Sequence, residues 1–475
     1  MSIKPTIPRS LFLFAVILLS CTNTSSDQDI TVIRGATLFD GTGSGAIENS
    51  VIVVKNGRID CVGSEGDCSS PSGAKVVDAT GKFVTPGLVD THMHFAQTAF
   101  FDGRPDALDI RDAYPFSKVA AYQKTNPQRY YDSYLCSGVT AIYDVGGFSW
   151  SIGLQESAEA NPKAPHVAAA GPLITPATQE FFNLPFDKVL VYLDSEQTGV
   201  TTVEHLSELG STGIKLWQLP VQNEEYMGWL KAVSETATKE GNHLIAHATS
   251  LVQAKAAIRL GAKFLVHSVG NTGVDDEFIQ LAKENGVMYN PTLIVSSGYT
   301  VSHRAAMGIE PFAINDPNGC MDSKSRELYE NADQFKDHPR YTDGFRSRLE
   351  NYDPEINRLN PIAMENLKKV YEAGIPVVLG TDAGNPGTFH GISIYEEMEA
   401  MQQAGIPAEE IIPIATKNGA EIMRRSDDFG TLETGKFGDL ILLKEDPSAN
   451  IRNMRSITHV MIKGNLMDVK EVVKE

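Results

Sequence analysis

Three regimes of hydrophobic and polar positions succeed one another along the chain. From residue 30 to about 82, short apolar runs broken by turn residues, "TVIRGATLFDG", "SVIVVKNGRIDCVG" and "AKVVDATGK", predict strands of a small β domain. From 84 to about 425, β-rich apolar runs alternate with helix-like segments, the pattern of βα units around a parallel sheet. The predicted strands are "GLVDTHMH" (87–94), "VTAIYDV" (139–145), "HVAAAG" (166–171), "GIKLW" (213–217), "HLIAHA" (243–248), "KFLVHS" (263–268), "VMYNPTL" (287–293) and "PVVLGTD" (376–382). Helices are expected between them, for example over 224–240 and 275–286. Eight strands is the number that closes a barrel. After 425 the strand pattern returns in "GTLETGKFGDLILLKED" and "ITHVMIKGNLM". The expectation is an α/β protein: a (β/α)8 TIM barrel over 85–425, with a small β-sandwich built by both chain ends, 30–84 and 426–475.

Between the seventh and eighth strands lies an excursion from about 296 to 375, long enough to suggest a functional lid. The first residues follow another rule. Lys4 and Arg9 precede "LFLFAVILL" (11–19), nine apolar residues. That suits a signal-peptide core and falls short of the roughly 20 a membrane-spanning helix needs. The segment ends in "LLSC" (18–21), which resembles the bacterial lipobox. Residues 1–21 are therefore expected to be a lipoprotein signal with Cys21 lipidated, and the polar stretch 22–29 a tether. The chain is expected to be exported, to the periplasmic side or the cell surface. The absence of Asp directly after Cys21 points to the outer membrane.

Composition changes this picture little. Of the 475 residues, 42% are hydrophobic and 21% charged, ordinary for a folded chain. The net charge of −19, from 41 basic and 60 acidic side chains, comes without a basic cluster and argues against nucleic acid as a partner. Four cysteines remain besides Cys21. Cys61 and Cys68 flank a turn-rich segment and suit a local cross-hairpin disulfide, whereas Cys136 and Cys320 are expected to be plain buried thiols.

The chemistry gathers at predicted strand ends. His92 and His94 lie two apart on one strand, so both rings face one way about 6 to 7 Å apart and Met93 faces the other. Lys215, His247, His267 and Asp382 each lie near the C-terminal end of another strand, the face on which barrel enzymes place their active sites. Alternation turns Ile214, Leu216, Ala246, Val266, Leu379 and Thr381 outward and these four inward, with Gly380 beside Asp382. A lone polar residue in a barrel is usually a satisfied core group. Six ligand-type groups on five strands indicate a site.

The order His-x-His, Lys, His, His, Asp resembles the amidohydrolase superfamily, binuclear type, and most of all its group of imidazolonepropionases and Xaa-Pro or Xaa-Arg dipeptidases. "GATLFDGTG", "PGLVDTHMH", "LCSGVTAIYDVGG", "GIKLW", "HLIAHA", "LVHSV", "NPT", "LGTDAG" and "GTLETGKFGDLILL" fall in family order over nearly the whole mature chain. The resemblance implies that His92, His94 and Asp382 bind one divalent ion and that His247 and His267 bind a second. Lys215 would bridge them as an N-carboxylated lysine, since a free ammonium would repel two dications whereas a carbamate offers them two anionic oxygens. Zinc suits the imidazoles best; manganese, cobalt and iron are the alternatives. The implied activity is hydrolysis of a C–N amide bond in a dipeptide, N-acyl amino acid or related amide by a hydroxide shared between the metals, with Asp382 passing the proton to the leaving amine.

Substrate is less legible. The dipeptidases carry a "GGH" after the third strand that suits a substrate carboxylate, and here the segment 171–182 reads "GPLITPATQEFF". Tyr299, His303, Arg304, His390 and Trp217, with Gln218, are candidate substrate contacts. His166, His205, His243, His338 and His459 read as structural or solvent-facing. Cyclic-amide, lactone or deaminase chemistry remains an alternative on the same ligands. So does an inactive lipid-anchored binding protein, against which the full ligand set argues. A homo-oligomer is compatible with the sequence.

Overall fold

The computed structural model describes residues 29–185, 187–354 and 356–473. The expected export signal with Cys21, and all but the last residue of the expected tether, lie outside them.

Helices and parallel strands alternate through the middle of the chain. The helices start where the sequence supplies a cap: the side chains of Asn223, Ser250 and Asp275 accept hydrogen bonds from the backbone N–H of Tyr226, Gln253 and Phe278. Each such cap stabilises its helix by about 1 kcal/mol. In the helix Glu224–Lys239, Tyr226, Leu230, Val233 and Ala237 recur at helical spacing and are buried against the strands.

The parallel strands fall into two sheets. Leu88–Met93, Val139–Asp144 and His166–Ala169 form one; Leu190–Tyr192, Leu173–Thr175, Gly213–Leu216, His243–His247, Phe264–Val266 and Met288–Asn290 form the other. A hydrogen bond from Thr212 N–H to the Ala169 carbonyl links them. The arrangement is a TIM-barrel-like α/β fold, without the single closed eight-strand ladder that the sequence suggests.

Two departures account for this. Leu173–Thr175 and Leu190–Tyr192 are extra strands, paired with each other and, through Leu173–Thr175, with Gly213–Leu216. The eighth expected strand is no strand, because Val377 bridges Tyr289 and Ala383 bridges Met93 with no regular ladder between them. Asp382 interrupts extended geometry there with φ +59°. The segment is nevertheless held against the first strand by Thr91 N–H to the Leu379 carbonyl (3.0 Å) and Asp382 N–H to the His92 carbonyl (2.7 Å).

The two chain ends share one eight-stranded sheet, not two facing sheets. Phe83–Pro86 sits between Ile30–Leu38 on one side and Leu440–Leu443 on the other. Gly35, at φ +85°, and adjacent register shifts bend Ile30–Leu38, so its first half pairs with Lys75–Asp78 and its last residues with Phe83–Pro86. That bend lets one curled sheet enclose the core expected of a sandwich.

Cys61 and Cys68 form a disulfide, as their flanking turn suggests. Cys136 and Cys320 are not free thiols: they form a second disulfide with Cα atoms 5.4 Å apart. Their separation of 184 residues hid the pairing. It ties the helix Gln128–Cys136 to the excursion, which is itself largely helical: Val295–Ala306, Ser323–Glu330, Asp343–Glu350 and Pro361–Glu372.

Candidate metal centre

All six predicted ligands line one cavity of about 580 Å³ at the C-terminal ends of the strands. His92, His94 and Asp382 stand closest, with ligand atoms all within 4.8 Å of one another. The rings of His92 and His267 have centroids 5.1 Å apart, and those of His247 and His267 4.4 Å.

Backbone pairing sets this convergence. Asp90, fully buried one turn of the pleat before His92, accepts hydrogen bonds from Thr381 N–H (3.0 Å), Thr381 Oγ1 (2.7 Å) and His92 N–H (3.2 Å). The ligand-bearing segments are thereby fixed side by side. Gly380 has no room for a side chain, since a Cβ there would lie 2.8 Å from the Cβ of His92 and closer still to the Asn290 amide.

Alternation correctly turns Lys215 and His247 inward, with Ile214, Leu216 and Ala246 in the outer core, whereas Asp382 enters the cavity from a segment that is no strand, at φ +59°. Alternation fails at His267. Val266 packs inward with Ile245, Phe264 and Val378, so a continued strand would send His267 outward. The strand instead ends at Val266, and φ +74° at His267 swings its ring back into the cavity. Gln218, Thr292 and Asp382, also in the cavity wall, share positive φ values of +65°, +42° and +59°. Such strain concentrates where side chains must be aimed.

The donors suit a cation. His94 Nδ1 lies 2.7 Å from the Gly146 carbonyl, which can only accept, so Nδ1 donates and Nε2 is the ring nitrogen turned to the site. That Nε2 is 2.9 Å from Asp382 Oδ1, and His92 Nε2 is 3.2 Å from the same oxygen. Both ring nitrogens of His92 and Asp382 Oδ1 are buried without a hydrogen-bond partner. Burial holds the His92 and His247 imidazoles well below the usual range and brings His267 to about 4. Burial opposes ionisation of Asp382, but the surrounding His92, His94 and His267 outweigh it and keep the carboxylate charged. Burial also brings Lys215 down to about 7, against the pull of Asp382 and Asp144.

The predicted substrate contacts divide. Trp217, Gln218 and Tyr299 line the cavity. His303, Arg304 and His390 do not. The helix Val295–Ala306 points its first turns at the cavity, and the later residues pack into the excursion. His303 lies against Phe101 and Tyr341, with Nδ1 3.2 Å from the Tyr341 hydroxyl. Arg304 donates to Glu310 Oε1 (2.8 Å) and to the Leu349 carbonyl. His390 is stacked on Tyr130 at 3.7 Å, with Nε2 3.1 Å from the His94 carbonyl, and so supports His94 from behind. His166 is structural as expected, buried between Glu159 and Asp439 at 2.8 Å from each. Sequence reasoning missed Arg104 and Asn385, both in the cavity wall. Asn385 follows Asp382 closely enough to be suspected; Arg104 sits in a turn-rich segment without periodicity.

Residues 83–467 match the model of the amidohydrolase family, and the chain belongs to that family. It is an enzyme, a hydrolase acting on carbon–nitrogen bonds, of the metal-dependent kind. Ochratoxinase of Aspergillus niger is 23% identical over 93% of this chain and 87% of its own length. Imidazolonepropionase of a Geobacillus species is 27% identical over 83% of this chain and 84% of its own. Among solved structures, a Xaa-Pro dipeptidase with methionine bound in its active site superposes with a TM-score of 0.67 at 24% identity, covering 93% of this chain and all of that one.

Proposed function

We propose that the chain hydrolyses the amide bond of a small molecule at a centre of two divalent ions, zinc fitting the donors best. His92, His94 and Asp382 would hold one ion, His247 and His267 the other, and Lys215 would bridge them as a carbamate. The observation that carries this reading is the convergence of the buried, partnerless His92 nitrogens and Asp382 Oδ1 with Nε2 of His94. When bound, the metals supply carbonyl polarisation and a water acidic enough to react at neutral pH.

The chain's own groups do the rest. Asp382 Oδ2 can accept the proton of the attacking water and return it to the leaving nitrogen. Gly146 fixes the tautomer of His94, and Asp90 fixes the spacing between the histidine and aspartate segments. With its amine near pKa 7, Lys215 has the neutral form that reacts with CO2. A cavity of about 580 Å³ suits a small molecule rather than a folded protein. Similarity to imidazolonepropionase supports a second reading, ring opening of a cyclic amide.

Metal analysis should find two ions per chain, and Lys215→Ala should lose at least one of them together with most activity. Two tightly held ions and full activity in that variant would exclude the bridge. Turnover on a panel of dipeptides, N-acyl amino acids, cyclic amides and lactones, scoring amine against ammonia, identifies the reaction. The same proposal includes export and a lipid anchor at Cys21. Two disulfides are at home in an oxidising compartment, and among the described residues no helix is long and apolar enough to cross a membrane. Cys21→Ser should therefore move the protein from the membrane fraction to the soluble one. Unchanged partitioning would remove the anchor from the proposal.

A further inference from the structure

Besides Lys215, Arg104 is the one lysine or arginine among the described residues lining the cavity. Its charge is already matched. Nε and Nη2 donate to the two carboxylate oxygens of Asp106 at 2.8 and 2.7 Å, a bidentate pair. Nη1 donates to Asn385 Oδ1, which also accepts the Tyr299 hydroxyl at 2.7 Å. The rings of Tyr299 and Phe182 lie 5.4 and 5.8 Å from the guanidinium carbon. Asp106 itself does not line the cavity, so the ion pair shows the cavity its cationic partner with the charge neutralised from behind. Phe116, Leu173, Phe182, Leu190 and Trp217 make an apolar wall.

We infer that this pocket selects uncharged substrates, with an apolar or aromatic body against that wall and a neutral carbonyl facing Arg104, in place of free amino-acid carboxylates. The inference rests on the amide-hydrolase reading of the same cavity. A carboxylate entering it would leave water for a guanidinium whose charge Asp106 already matches, so its larger desolvation would be compensated only in part. A neutral carbonyl loses less on leaving water. It can also accept from the two guanidinium protons that remain, because arginine has five N–H donors and three are engaged.

The test uses the metal-loaded full chain and a pair differing in one charge, N-acetyl-L-phenylalanine and its primary amide, with kcat/KM for deacetylation and binding followed by calorimetry. The parent should favour the amide by about tenfold or more, and Asp106→Asn, which unmasks Arg104, should shift the amide-to-acid ratio towards the acid by about tenfold. Attraction of the acid to the metals is common to both forms and cancels in that comparison. Arg104→Met should make the ratio insensitive to Asp106→Asn. Should Asp106→Asn fail to fold, Arg104→Met alone serves: it should leave the acid no worse bound relative to the amide. A parent that prefers the acid, or a ratio unmoved in folded Asp106→Asn, overturns the inference. Binding that follows the expected ratios without turnover of any amide supports the inference and counts against the hydrolase reading.

Discussion

Asp382 is asked both to hold a metal and to carry a proton, and its surroundings support both, since its Oδ1 faces two imidazole nitrogens and its Oδ2 lies 3.9 Å from His267 Nδ1. Asn in its place keeps the shape and one oxygen donor but removes the base. kcat should fall by about 10² to 10⁴, with metal content falling less because His92 and His94 remain; near-parental kcat on the identified substrate would refute the shuttle. At this scale, legibility depended on whether a side chain's direction follows from position in a strand. Lys215 and His247 were readable because alternation persists to the strand end. His267 was placed in the site for a reason that does not hold, as its direction comes from φ +74° and not from alternation. Arg104 was illegible because its role depends on a contact across 281 positions of the chain. His303 and Arg304 carried suggestive chemistry in the right segment, yet their helix turns them away from the cavity.

At the scale of elements, the strand His166–Ala169 is fastened to the terminal sheet through a buried charge cluster. His166 is stacked 4.8 Å over Phe429 between Glu159 and Asp439, and Asp439 accepts a hydrogen bond from Lys463 N–H at 2.7 Å. Burial disfavours the His166 imidazolium, but Asp439 and Glu159 outweigh it and raise its pKa. Burial likewise opposes ionisation of Glu159, and His166 with Arg425 brings it down to about 2. The signs are opposite. The raised His166 contributes stability present below its ordinary value near 6.5 and lost as pH rises through the folded value. The depressed Glu159 contributes stability present above about 4.5 and lost as pH falls towards 2. Urea unfolding should thus show this cluster contributing most between about pH 4.5 and 6.5. Asp439→Asn, which leaves a buried imidazolium short of a partner, should destabilise by about 3 to 5 kcal/mol at pH 6 and flatten the loss above pH 6.5. An unchanged pH profile in that variant would assign the dependence elsewhere. The alternation of strands and helices was plain from the sequence. The single curled sheet was not, because its pairing depends on a bend at Gly35 and on strands from opposite ends of the chain.

For the molecule as a whole, the disulfide between Cys136 and Cys320 fixes the excursion whose first helix supplies Tyr299 to the cavity. Arg129, on the helix that carries Cys136, reinforces it with an ion pair to Asp322 at 2.8 Å. The paired Cys136→Ser, Cys320→Ser variant should lose about 2 to 5 kcal/mol of unfolding free energy and become more readily cleaved by protease between residues 307 and 322. Equal stability and equal resistance would show that the ion pair and packing suffice.

The strand Phe83–Pro86 has a consequence for how the enzyme comes into being. It runs through Gly87 directly into the strand that bears His92, and one of its flanks is covered only by Leu440–Leu443. During synthesis the strand of His92 therefore emerges early, while the neighbour that completes its lead-in arrives almost last. The nascent chain cannot finish this sheet before its end is made, and a product truncated before residue 440 would be left with an unfilled edge on the sheet that leads into the strand of His92.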